Sequence, residues 1–214
     1  MTALRHKPPP APLADPAVLA ARRAALAAPH MQPLARFAAL LRERTGRAVP
    51  DADPADGGTA ARLLLLLETP GPSMPLTGFV SSDNPTPTSA NLRRFLGAAR
   101  IVRADLLIWN TVPFFIHAPG AANRAPRAAE HAAGLALLPP LLNLLPRLAV
   151  AVLAGRFARL AAPALQVARP GMPVLAMPHP SPVYTCTDPA LPRRIVAVLA
   201  EAAGLLHARR GATA

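Results

Sequence analysis

Four short apolar runs, at residues 62–67, 105–109, 148–154 and 174–177, constrain this chain more than any other feature. Each is too short for a long helix and is bounded by Gly, Pro or Asn, so each predicts a strand buried on both faces. Helical patterns lie between them: 87–96 behind Thr86 as a cap, 126–138 with a shorter piece to 145, and 156–160. Ahead of the first run, Asp15-Pro16 predicts a helix start, and a second helix over 34–44 ends at Gly46. A last helix spans 189–208. Strands alternating with helices imply parallel crossovers, and therefore an α/β fold: a three-layer α/β/α sandwich with a central four-stranded parallel sheet. The 214 residues suit one such domain, taken as 13–214, with 1–12 as a flexible basic arm.

In a sheet of this kind the ligand crevice lies beyond the carboxyl ends of the strands. Three runs are followed there by Glu68-Thr69-Pro70-Gly71, Asn110-Thr111-Val112-Pro113 and Pro178-His179-Pro180-Ser181-Pro182. Polar groups from distant parts of the chain thus meet at one rim. The formal charge of +12 comes almost entirely from arginine, since Lys7 is the only lysine. Arginine's planar fork suits phosphate, which favours a polyanionic partner, although abundant Ala, Arg and Pro also fit a composition bias of the source. Cys186 is the only cysteine, which excludes an intrachain disulfide and any four-cysteine metal or cluster site within one chain. Arg5 and Lys7 are followed by prolines rather than an apolar core, and the long apolar stretch 134–155 is broken by Pro139, Pro140, Asn143, Pro146 and Arg147. A cytoplasmic monomer is expected, with no membrane partner, no metal and no cofactor.

In order and spacing, the strand-end segments resemble the motifs of the uracil-DNA glycosylase superfamily, over roughly residues 60–205. Glu68-Thr69-Pro70-Gly71 resembles its first motif in the Gly-Glu-Ala-Pro-Gly version, and Phe79 stands where that branch has a base-stacking phenylalanine. Asn110 matches the asparagine that reads uracil, His179-Pro180-Ser181-Pro182 the catalytic histidine motif, and Pro119-Gly120 with Asn123-Arg124 a Pro-Gly-Asn-Arg loop carrying two inserted residues. The resemblance implies a metal-independent glycosylase acting on uracil-containing DNA. Leu67 replaces a glycine, Thr69 stands where other branches have a catalytic Asp or Asn, Gly71 replaces the bulky aromatic that excludes thymine, and the cluster cysteines are absent. The chain is therefore identified as an atypical member.

The chemistry of each position can be stated separately. Uracil differs from cytosine at N3 and position 4, and an asparagine offers an acceptor for N3–H and a donor for O4. Asn110 fits that task, though an asparagine after a strand also closes turns through its own side chain. Cleavage leaves negative charge on the departing base, which a donor at O2 stabilises; His179 is the candidate, unless it only satisfies a loop carbonyl. A carboxylate near the sugar stabilises the cationic sugar and orients water, with Glu68 first choice and Asp83, which also fits a turn with Asn84-Pro85, in reserve. Phe79 stacks on the extruded base or packs in the core. Ser181, Pro182, Val183, Tyr184 and Thr185 are placed to enter the space the base leaves, and Arg93, Arg94, Arg124 and Arg127 to meet phosphate or solvent. His6, His30, His131 and His207 have no motif around them and read as surface residues. The competing reading is a noncatalytic binder of damaged DNA, argued by Thr69. A serine hydrolase using Ser181 lacks the strained elbow, and a dinucleotide-binding enzyme lacks the glycine-rich turn.

Overall fold

The computed structural model describes residues 11–71, 76–117 and 124–211. Helix α1 (Pro16–Ala24) is capped by Asp15, whose carboxylate accepts a hydrogen bond from the Ala17 N–H at 2.8 Å. Helix α2 (Gln32–Thr45) ends at Gly46 in the left-handed conformation, φ 62°. Then follow β1 (Asp51–Ala52), β2 (Leu63–Leu67), β3 (Phe79–Val80), α3 (Pro87–Ala98), β4 (Leu106–Asn110), α4 (Ala128–Leu135) and α5 (Leu138–Asn143). The chain continues through β5 (Val150–Ala154), α6 (Arg156–Arg159), α7 (Ala162–Ala168), β6 (Val174–Met177), α8 (Pro182–Thr185) and α9 (Ala190–Gly211).

Strands β4, β2, β5 and β6 lie side by side in that order, all parallel. Leu63 stands opposite Leu106 on one side and Val150 on the other, and Leu67 stands opposite Asn110. Because successive side chains point to opposite faces, the unbroken leucine run of β2 serves two cores at once. Leu64 and Leu66, with Leu107, Trp109 and Leu153, pack against α2, α5 and α7. Leu63 and Leu65, with Ile108 and Val152, pack against α3 and α9. On α9 the buried residues Ile195, Leu199, Ala202 and Leu206 form a single stripe at helical spacing. The sheet is covered on both faces, which is the expected α/β/α sandwich.

Several boundaries differ from the sequence reading. β4 extends one residue further, so Asn110 ends the strand rather than opening the turn. Residues 126–145 form the two expected helices, but the break falls before Leu138, so Pro139 and Pro140 lie in the first turn of α5, where their missing N–H groups cost nothing. β1 and β3 form a separate parallel pair, Asp51 with Phe79 and Ala52 with Val80, too short to show any periodicity in sequence. Helix α7 was also not anticipated. The expected arm lies outside the described residues except for Ala11 and Pro12, and Pro12 already opens a turn whose Leu13 is buried. Among the described residues, no helix is long and apolar enough to cross a membrane.

Candidate active site

A cavity of about 500 Å³ opens at the carboxyl ends of β2, β5 and β6. Leu67, Glu68, Thr69 and Gly71 line it from β2, Arg156 and Phe157 from β5, and His179 and Ser181 from β6. Val80, Ser81, Asn84 and Leu92 complete it from the β3–α3 side. The rim predicted by parallel topology is thus where the cavity lies.

Glu68 and His179 meet across Gly155. Gly155 has φ +95°, and a Cβ there would lie 2.5 Å from Glu68 Oε1 and 3.2 Å from His179 Cβ. Only a residue without a side chain permits this approach. Glu68 Oε1 is fixed by the Phe157 N–H at 3.0 Å. Gly155→Ala is therefore expected to displace the Glu68 carboxylate and to cost roughly 1–3 kcal/mol from the positive φ alone. Thermal melting would register the second effect, and the activity test described below the first.

His179 Nδ1 accepts a hydrogen bond from the Ser181 N–H at 3.2 Å. A neutral ring accepting at Nδ1 must carry its proton on Nε2, so the other edge of the ring is a donor. Burial lowers the pKa of His179, and the neighbouring Glu68 charge opposes that shift. The ring also meets Tyr184 edge-on, with centroids 5.9 Å apart. The loop is held from α3 by Asn91, whose Nδ2 donates to Pro180 O at 3.0 Å and Thr185 Oγ1 at 3.1 Å.

Neither Asn110 nor Phe79 is among the residues lining this cavity; each is 1 % exposed. Both adjoin residues that do line it, Leu67 across the strand pair and Val80 along the chain. By strand alternation Asn110 shares the face of Leu106 and Ile108, the side that carries Val80 and Leu92. Among the described residues, neither Asn110 Oδ1 nor Nδ2 has a hydrogen-bond partner, and the side chain closes no turn there. Phe79 belongs, among the described residues, to neither of the two apolar core layers. Its carbonyl is held by Asn84 Nδ2 at 2.8 Å.

Asp83 does not line the cavity. It is bound by Arg22 at 3.0 Å and by Arg103 at 2.5 Å, which also reaches Asp53 at 2.9 Å and Asp56 at 2.7 Å. Arg22 and Ser81 each bind Asp53 as well. This buried network ties α1, the loop after β1, the β3–α3 loop and the approach to β4 together, and it leaves Asp83 a structural rather than a reacting group. Burial favours the neutral form of Asp53, yet Ser81, the Ala55 N–H, Arg103 and Arg22 together bring its pKa below the ordinary value. Asp56 behaves oppositely: burial, opposed by Arg103, pushes it up to about 7, and its Oδ2 has no partner among the described residues. A group raised in the folded state favours folding most below its unfolded pKa, here 3.8, and loses that contribution as pH rises through 7. The melting temperature of the wild type should accordingly fall from about pH 5 to about pH 8 relative to that of Asp56→Asn, which cannot titrate. Parallel curves for the two proteins would contradict this.

The remaining expected contacts divide. Val183 and Tyr184 line the cavity mouth, 75 % and 52 % exposed, next to Ser181 and Pro182 at the start of α8. Thr185, grouped with them in the sequence reading, is buried against Asn91 and cannot enter a duplex. Arg124 lines the cavity, but its guanidinium is spent on Glu130 at 2.7 and 2.8 Å and on Ile116 O at 2.6 Å. Arg93 lies 3.9 Å from Asp83, Arg94 binds Asn91, and Arg127 is exposed. Residues 118–123 of the Pro-Gly-Asn-Arg-like loop lie outside the described residues. His131 is buried, not at the surface, with Nε2 3.0 Å from Phe157 O. Its place on α4, and those of Asn91, Arg156 and Phe157, carry no motif that would reveal them in sequence.

The family model of the uracil DNA glycosylase superfamily matches residues 54–202. The chain belongs to that superfamily. A comparison with curated proteins found no match. The matched span contains Glu68, Asn110, His179 and the rim residues described above. Thr69 lines the cavity without a charge, and among the described residues a Cβ at Gly71 would meet nothing within 4 Å.

Proposed function

We propose that this chain removes uracil from DNA by hydrolysing the N-glycosidic bond, leaving an abasic site. The observation that carries the reading is Asn110: a buried amide with both ends unpartnered among the described residues, beside the cavity that holds Glu68 and His179. A buried polar group without a partner is costly, and a ligand with the complementary pattern removes that cost. Uracil has that pattern, because its N3–H donates to Oδ1 and its O4 accepts from Nδ2. Cytosine, with an acceptor at N3 and a donor at position 4, fits the same amide only after a half-turn flip that exchanges Oδ1 and Nδ2.

The target nucleotide leaves the base stack, its base entering past Leu67 and Val80 to lie against Phe79. Pro70 and the backbone of Thr69 and Gly71 border the base. Val183 and Tyr184, carried by Ser181 and Pro182, fill the gap in the duplex. As the glycosidic bond breaks, the electron pair stays with the base, and the Nε2–H of neutral His179 donates to O2 where negative charge gathers. Glu68, anchored through Oε1 on the Phe157 N–H, offers its other oxygen to the cationic sugar and to the water that attacks it. The reaction uses one copy of the chain, in the cytoplasm.

A second reading, tight binding of damaged DNA with little turnover, is favoured by one feature: Thr69 brings no carboxylate where related branches have one. A uracil-containing oligonucleotide incubated with the protein and then with alkali separates the two. Breakage at the uracil supports hydrolysis; retention without breakage supports the binder; the absence of both would overturn the DNA reading.

A further inference from the structure

We propose that Arg156 grips a backbone phosphate next to the extruded nucleotide, a contact that rests on the DNA-glycosylase reading above. Two arginines line the cavity. Arg124 is neutralised by Glu130 in a two-pronged pair, whereas Arg156 is exposed and makes no ion pair among the described residues. Its guanidinium lies over the Phe157 ring, Cζ 4.6 Å from the centroid. Stacking occupies one face of the planar group and leaves its N–H edges available, the geometry suited to two parallel bonds to a phosphate. The platform beneath is itself fixed, because the Phe157 N–H binds Glu68 and the Phe157 carbonyl meets His131. Arg156 is thus held in place before DNA arrives and loses little freedom on binding. When a base enters the cavity its phosphates stay outside, at the rim where Arg156 stands, so the same short segment that fixes Glu68 near the sugar also fixes the strand. Nothing in the sequence marks this arginine among the others.

The test measures affinity of the full-length chain for oligonucleotides carrying a stable abasic-site analogue, across a salt series. Arg156→Gln is expected to weaken binding roughly tenfold and to flatten the salt dependence by about 0.7–0.9 of a log unit per log unit of salt, the signature of one lost phosphate contact. Replacing one phosphate beside the lesion by an uncharged methylphosphonate should reproduce that loss in the wild type and leave Arg156→Gln no weaker. In single-turnover reactions on uracil-containing DNA, the half-saturating DNA concentration should rise while the limiting rate holds. Arg156→Lys should keep the salt slope with reduced affinity. An unchanged slope, or an equal loss whichever phosphate is neutralised, would overturn the proposal while leaving the glycosylase reading intact. A wild type that binds no DNA would overturn both. Since Arg156 is exposed, an unchanged melting temperature verifies that the variant is folded.

Discussion

His179→Ala is expected to slow release of uracil from DNA by about 100- to 1000-fold in single-turnover kinetics. The size follows from where the charge goes. The departing base carries the negative charge, and a donor fixed before the reaction stabilises that charge without rearrangement. His179 is fixed in this way, by the Ser181 N–H on Nδ1, by Tyr184 at the ring edge and by Asn91 behind the loop. The neutral form is required, because a protonated ring would face the Ser181 N–H with a second donor. Burial lowers the pKa of the ring, so activity should stay level as pH falls through 6.5, the ordinary imidazole value, and decline only on the acid side. A rate falling with a midpoint above 6.5, or an Ala variant within a few-fold of wild type, would remove His179 from the reaction.

Asn110→Leu should produce opposite effects on stability and activity. Leucine has the same number of heavy atoms branched at the same carbon and removes two buried polar atoms that have no partner among the described residues, so the folded chain should gain about 1 kcal/mol. For a domain of this size that corresponds to a rise of roughly 2–4 °C in melting temperature. The same change deletes both bonds to the uracil edge, and kcat/KM on uracil-containing DNA should drop by about 100- to 1000-fold. Stability gained with function lost is the mark of a residue kept for its ligand. A variant that is destabilised would show instead that Asn110 serves the fold. Asn110→Asp, which loses the donor for O4, should also weaken uracil recognition.

Much of this was legible in sequence where a residue sits at the end of a strand. Glu68, Asn110 and His179 each follow an apolar run, and parallel topology alone sends such positions to one rim. The leucine run of β2 announced a strand buried on both faces, as observed. What the sequence did not reveal depends on contacts between distant segments. Arg22 and Arg103 meet Asp53, Asp56 and Asp83 only after α1 and the β3–α3 loop have packed, so nothing local to Asp83 shows that it is held in ion pairs. His131 and Asn91 act through backbone carbonyls on other elements, which no local pattern encodes. Gly155 read only as the end of a strand, because its purpose is set by the carboxylate and the histidine packed against it.

The parallel sheet also bears on how the molecule is made. No strand of the four pairs with its immediate successor through a tight hairpin; β2 must find both β4 and β5, each far along the chain. Such closures are entropically slow, and until they occur the five leucines of β2 are uncovered on a nascent polypeptide. Folding is therefore expected to be slower than that of a helical bundle of this length, with β2 the segment most prone to aggregate before its partners arrive.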